Sequence, residues 1–219
     1  MPIRLYIASV EPLEDAARFD RLLEAVPPGR REKALAFRVE GAKRLSLGAG
    51  LLLNRALADA GLPPMECRVT EYGKPYFPDL PDFHFSLSHS GDMALSAVSS
   101  LPIGCDIEKI ERFNAPLARR FFHPRECEWL FSRPETEQAA AFYRLWTCKE
   151  SFIKAIGLGL SQPLDSFAVL PGDTVTLTQT ADPRPWKIKS FREGDCFCAL
   201  CGLEDMNAAP PVRVDFGAE

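Results

Sequence analysis

Two short segments about forty residues apart constrain the fold of this chain more than any other feature. Residues 104–108 (Gly-Cys-Asp-Ile-Glu) alternate as a strand does, and both acids fall on one face. Residues 146–154 belong to a long run with apolar side chains at helical spacing, and Glu150 and Lys154 lie four positions apart on one face of it. The chain must therefore combine a sheet with a long helix.

The acids of these segments predict a cation site. Asp106 and Glu108 repel each other on their shared face unless a positive charge lies between them. Mg²⁺ typically binds one or two carboxylates together with phosphate oxygens and waters. In this reading Glu150 is a third ligand, and Lys149 and Lys154 face phosphates. The same residues also fit solvated acids at a strand end and a helical Glu–Lys pair.

The rest of the chain alternates between strand and helix patterns. In each half a strand precedes a helix and then more strands, which predicts an α+β fold of two similar lobes, 1–102 and 103–219, with a ligand pocket between them. The basic residues after the 27–29 turn are expected in a loop. Strands are predicted at 4–9, 65–71, 83–88, 93–99, 103–108, 175–178, 186–191 and 196–200, and helices at 13–25, 42–60, 117–121, 124–131 and 137–157.

Charge and cysteine content exclude several classes of protein. The net charge of −4 argues against a nonspecific nucleic-acid binder. No apolar run approaches the roughly 20 residues that span a bilayer, and the N-terminus lacks a signal-peptide layout. The seven scattered cysteines indicate reduced thiols, and Cys196, Cys198 and Cys201 fit a buried strand better than a zinc site. We therefore expect a cytoplasmic protein without membrane or nucleic-acid partners.

Further segments suggest contacts with an anion. His89 ends a predicted strand beside the 90–92 turn, where it can donate to a phosphate or serve only as a turn residue. A second turn, residues 72–75, carries a lysine before a proline. A basic stretch precedes the 42–60 helix, whose first turn offers N–H groups to an anion; it contains Arg30, Arg31, Lys33, Arg38, Lys43 and Arg44.

In their order and spacing these blocks resemble the 4′-phosphopantetheinyl transferases, specifically the longer surfactin-synthetase-activating (Sfp) type. The resemblance is carried by residues 72–76, 78–82, 85–91, 102–109, 142–154 and 157–160. It implies two similar α+β lobes that form an intramolecular pseudo-dimer in a monomer. It also implies transfer of the 4′-phosphopantetheine arm of coenzyme A to a serine of an apo acyl or peptidyl carrier protein, with release of 3′,5′-adenosine diphosphate.

The resemblance also implies roles for individual residues. Asp106, Glu108 and Glu150 would hold Mg²⁺, or Mn²⁺, against the diphosphate of coenzyme A. Glu150 would also take the serine proton, and Lys154 would stabilise charge on the diphosphate. Residues 110–122 would help to dock the carrier. The nucleotide end of coenzyme A would be held by Arg30, Lys33, Arg44, Lys74, Pro75, Ser88 and His89.

Two other functions remain open at this point. A different Mg²⁺-dependent phosphoryl or nucleotidyl transferase would share the acids but not the order of all the blocks. A noncatalytic module that binds coenzyme A or carrier proteins would have no need for the complete set of Asp106, Glu108, Glu150 and Lys154.

Overall fold

The computed structural model describes residues 1–204 and 210–218. The first half of the chain forms β1 (Arg4–Ser9), α1 (Ala16–Leu23), α2 (Pro28–Leu35), α3 (Glu40–Asp59), β2 (Arg68–Val69), β3 (Pro75–Tyr76), β4 (His84–Ser90) and β5 (Met93–Ser99). The second half forms β6 (Ile103–Lys109), α4 (Ala115–Phe121), α5 (Pro124–Phe131), α6 (Glu135–Ile156), β7 (Ala168–Leu170), β8 (Thr176–Thr178), β9 (Lys187–Glu193), β10 (Cys196–Gly202) and β11 (Val212–Arg213).

Both lobes share one topology. In the first lobe β1 is followed by the long helix α3 and the β4–β5 hairpin, and β1 pairs antiparallel with β5. In the second lobe β6 is followed by the long helix α6 and the antiparallel β9–β10 pair, and β6 pairs antiparallel with β10. The predicted α+β fold of two similar lobes is therefore confirmed. The division of the chain at residues 102 and 103 falls between β5 and β6 and stays a prediction.

The end of the chain returns to the first lobe. The strand β11 pairs in parallel with β1, so the first sheet has the order β11-β1-β5-β4. Phe216 is buried in the apolar core of the first lobe beneath α3. The sequence pattern places this segment in the second lobe, because a two-residue strand has no periodicity that would indicate its partner.

The two sheets pack against each other through a shared apolar core. It combines side chains of β1 and β5 with side chains of β6 and β10, including Cys105, Cys196 and Cys198. All seven cysteines are free, and the three cysteines of β10 are buried as predicted. No helix in the described ranges is long and apolar enough to cross a membrane.

The main departure among the helices is α2, where a loop was expected. Pro28 was expected only to end the preceding helix, but it occupies the first turn of α2. Its missing N–H group has no cost there, because N–H groups of the first turn have no acceptor within the helix. The N–H of Gly29 donates to Glu66 Oε1 at 2.8 Å. The predicted 13–25 helix is shorter, because Asp15 caps α1 by accepting a hydrogen bond from Arg18 N.

Candidate active site

The acids of β6 lie at the interface between the lobes and face β4. Asp106 is buried, and Ser88 Oγ donates to its Oδ1 atom at 2.6 Å. Ser90 Oγ donates to Glu108 Oε2 at 2.6 Å. Side chains two residues apart on β4 therefore meet side chains two residues apart on β6. Ser88, which we predicted beside the nucleotide, contacts the acidic strand, and its contact with a nucleotide stays a prediction.

The helix α6 brings the remaining predicted residues to this strand. Lys154 Nζ lies 2.6 Å from Asp106 Oδ1 and 3.0 Å from Ser88 Oγ. The helix approaches closely because Gly104 has no side chain, and a Cβ atom there would overlap Ser151 O and Ala155 N. Burial, and then the charge of Asp106, raise the pKa of Glu108 to about 7 and also raise the pKa of Glu150.

These observations test whether a divalent cation fits. Within the described residues, no group of three acidic, histidine or cysteine side chains converges as a ready-made metal centre. However, Asp106 Oδ2 is buried without a hydrogen-bond partner, and the negative charge of Asp106 raises the pKa of both Glu108 and Glu150. Mg²⁺ fits this arrangement, because it takes several of its ligands from phosphates and waters.

A cavity of about 440 Å³ lies beside the acids, between the lobes. Its wall combines α2, α3, the β2–β3 turn and β4 of the first lobe with the end of α6 from the second lobe. Of the predicted site residues, the structure places six in this wall: Arg30, Lys33, Lys74, Pro75, His89 and Lys154. Arg44 is not one of the described wall residues, and its guanidinium forms an ion pair with Glu14 at 3.0 Å.

The cavity is lined by more cations than acids. Burial lowers the pKa of Arg30 and of Lys33, and the nearby charge of Arg30 lowers that of Lys33 further. Burial, and further the charges of Lys154 and Arg30, lower the pKa of His89. Each of these shifts means that the protein alone does not offset the positive charge. An anionic ligand with several phosphates would do so.

Lys74 has a second role that the sequence did not indicate. Its ammonium group donates to Ala155 O at 2.7 Å and to Ile103 O at 3.3 Å, both in the second lobe. Ala155 lies in the last turn of α6, where carbonyl groups lack helical partners. Burial lowers the pKa of Lys74 to about 8. Lys74 thus joins the turn of the first lobe to the helix that carries Glu150 and Lys154.

Lys149 does not face a phosphate, and that part of the sequence reading is wrong. Its side chain is completely buried, and Nζ lies 2.6 and 2.7 Å from the two carboxylate oxygens of Glu126. Glu126 also accepts hydrogen bonds from His123 N and Val169 N. The structure forms a capping box at residues 123–126 at the N-terminus of α5, but the sequence has histidine in place of the serine or threonine that normally marks this motif.

Comparison with known proteins shows the family of the chain. Residues 102–201 match the family model described as the 4′-phosphopantetheinyl transferase superfamily. A 4′-phosphopantetheinyl transferase of Bacillus subtilis is 46% identical over 157 residues, which cover 70% of each chain. The 4′-phosphopantetheinyl transferase Sfp of Bacillus subtilis strain 168 is 44% identical over 68% of each chain. The chain therefore belongs to the 4′-phosphopantetheinyl transferase superfamily. Within it, the chain is of the Sfp type, as the sequence analysis inferred.

Solved structures show a more distant likeness. A holo-(acyl-carrier-protein) synthase from Bacillus anthracis in complex with CoA (3′,5′-ADP) is 17% identical, with a TM-score of 0.42 over 47% of this chain and 95% of that chain. A holo-[acyl-carrier-protein] synthase from Thermotoga maritima is 21% identical, with a TM-score of 0.42 over 48% of this chain and 63% of that chain.

Proposed function

We propose that this protein transfers the 4′-phosphopantetheine arm of coenzyme A to a serine hydroxyl of an apo acyl or peptidyl carrier protein. Such carriers serve fatty-acid, polyketide and nonribosomal peptide biosynthesis. One observation carries the proposal: the acidic strand and the cationic cavity are adjacent, and Lys154 belongs to both. It lines the cavity and donates to Asp106. A diphosphate attached to a nucleotide matches this arrangement of charges.

The residues divide the work of the reaction. Arg30, Lys33 and His89 hold the phosphate at the ribose, and Lys154 lies against the diphosphate. The serine oxygen forms a bond to the phosphorus that carries the pantetheine arm, and the bond from this phosphorus to the bridging oxygen breaks. Glu150 takes the serine proton, and 3′,5′-adenosine diphosphate leaves. The raised pKa of the Glu150 carboxyl group is closer to the range that suits a general base at neutral pH.

The metal has a supporting role in this proposal. Mg²⁺, or Mn²⁺, would be held by Asp106, Glu108 and Glu150 and would neutralise charge on the diphosphate. The rest of the catalysis is positioning, since phosphoryl-type transfer asks for little covalent chemistry from the protein. The orphaned Asp106 Oδ2 atom supports this assignment.

The carrier is proposed to approach along residues 110–122, which leave the acidic strand directly. Phe122 is buried against α6, and Phe113 and Phe121 pack in the same aromatic cluster. Arg119 and Arg120 are exposed on α4 and remain accessible to a partner.

We further propose a cytoplasmic monomer, because one chain supplies both lobes of the site and keeps seven free cysteines.

Intact-mass spectrometry tests the proposed function. The protein is incubated with an apo carrier protein, coenzyme A and Mg²⁺, and the carrier is expected to gain the mass of one phosphopantetheine arm. Asp106→Ala should abolish this gain, whereas Asp173→Ala, at an exposed acid in the second lobe, should not. A different added mass would indicate another phosphoryl or nucleotidyl transferase. Binding of coenzyme A without any gain across several carriers would indicate a binding module, and either result would reject the proposal.

A further inference from the structure

Arg30 has an unusual environment for a half-buried cation. Its guanidinium makes one hydrogen bond in the described chain, from Nη2 to the backbone oxygen of Ser46 at 2.8 Å, and forms no ion pair there. Arg30 Nε is buried without a partner, and Ser46 Oγ is buried without one as well. A buried charge normally has an acidic partner. Here the partner is missing at the wall of the cavity.

The position of Arg30 depends on a glycine of α3. Ser46 and Gly50 lie one turn apart on α3, and both line the cavity. A Cβ atom at Gly50 would lie 2.8 Å from both Cγ and Nε of Arg30 and 3.3 Å from Cδ. These atoms are in the middle of the side chain, so a methyl group would displace the whole arginine. Gly50 therefore leaves a gap that the arginine fills.

We propose that Gly50 and Ser46 form a seat that fixes the Arg30 guanidinium at the cavity, so that the protein selects nucleotides carrying a phosphate on the ribose ring. The seat has two parts. Gly50 supplies the space, and the Ser46 carbonyl fixes the orientation of the guanidinium. Other guanidinium donors are then left for a phosphate, with which Arg pairs through two parallel bonds. This inference rests on the proposed function, in which the cavity holds the nucleotide end of coenzyme A.

Calorimetric titration with two nucleotides tests the seat without any transfer reaction. The probes are 3′,5′-adenosine diphosphate and adenosine 5′-monophosphate, which differ only in the phosphate at the 3′ position. Gly50→Ala is expected to weaken binding of the diphosphate about tenfold or more, the usual effect of losing one charge-assisted hydrogen bond. Its affinity for the monophosphate should be unchanged.

Gly41→Ala is the matched control. Gly41 lies on the same helix, but a Cβ atom there has its nearest neighbour, Arg44 Nη2, at 4.0 Å. Alanine is also the better helix former at both positions, so neither change should weaken α3. In an Arg30→Ala background, Gly50→Ala should have no further effect on either affinity. Should Gly50→Ala not fold, Arg30→Lys leaves the gap intact and is expected to lose the same preference for the diphosphate.

Two results would overturn the seat. One is a Gly50→Ala protein that keeps the wild-type preference for the diphosphate, and the other is an equal loss of affinity for both nucleotides. The proposed function is judged separately, by carrier modification with the wild-type protein. If the wild type modifies no carrier but its nucleotide preference depends on Gly50, the function fails and the seat stands. If it modifies carriers and Gly50→Ala keeps the preference, only the seat fails.

Discussion

Replacing Lys149 with methionine tests the most heavily buried ion pair among residues 1–204 and 210–218. Neither Lys149 nor Glu126 exposes any side-chain surface, and Lys149 Nζ also donates to Phe167 O at 2.9 Å. Methionine keeps the length of the side chain but removes its charge. Glu126 would then be a buried carboxylate without a cation. Removing one partner of such a pair costs about 3–5 kcal/mol of unfolding free energy.

A surface pair with the same shortest N···O distance is the control. Lys43 Nζ also lies 2.6 Å from a glutamate oxygen, but the side chain of this glutamate, Glu40, is 70% exposed. Such a pair contributes at most about 0.5 kcal/mol. For a chain of this size each kcal/mol shifts Tm by about 2–4 °C, so Lys149→Met should lower Tm by about 6–20 °C and Lys43→Met by about 2 °C at most. Thermal unfolding followed by circular dichroism measures both.

Equal Tm values for the two variants would refute this reasoning. The alternative reading of the sequence, with Lys149 at a phosphate, makes the opposite prediction: a higher KM for coenzyme A with little change in Tm. Burial raises the pKa of Glu126 and lowers that of Lys149, so the surroundings oppose both charges. The double variant Lys149→Met/Glu126→Gln should therefore be more stable than Lys149→Met, since no uncompensated carboxylate is left.

Three further changes probe the packing within each lobe and the junction between the lobes. Gly104→Ala forces a methyl group into the backbone of α6 and should lower the unfolding free energy in urea by about 1–3 kcal/mol; an unchanged value would mean that α6 tolerates a larger distance from β6. Phe216→Ala removes a buried ring from the first lobe and should cost about 3–5 kcal/mol by calorimetry, whereas a surface residue would cost almost nothing. The Lys74 ammonium is protonated below its pKa of about 8, so affinity for 3′,5′-adenosine diphosphate should fall as the pH rises through this value. Calorimetric titrations with this nucleotide below and above pH 8 should show the fall in affinity for the wild type but not for Lys74→Met. A fall that persists in Lys74→Met would assign the pH dependence to another group.

Long periodic elements were predictable because their patterns repeat over several turns. The helix predicted at 137–157 is found at Glu135–Ile156, and Gly157 adopts the left-handed conformation that ends it. The helix predicted at 124–131 has these limits in the structure. The two-residue strands β3 and β11 were not predicted, because tertiary partners rather than local patterns determine strands of that length. Of the strand predicted at 65–71, only Arg68–Val69 forms β2.

The site shows the same division between local and tertiary information. The period of a strand places Asp106 and Glu108 on one face, and the period of a helix does the same for Glu150 and Lys154. The sequence pattern does not show which neighbouring element each of these faces contacts. The side chain of Lys149 points into the second lobe, where its ammonium group donates to Glu126.

The acidic site depends on the interface between the lobes rather than on either lobe alone. Serines of β4 in the first lobe hold the carboxylates of β6 in the second, and Lys74 of the first lobe holds the end of α6. Because Gly104 brings α6 against β6, a shift of one lobe relative to the other would move the serines away from Asp106 while Lys154 stayed with it. The repeat of one topology in a single chain thus has a functional consequence. It fixes, within one polypeptide, the cationic cavity between the lobes beside the carboxylates of the second lobe.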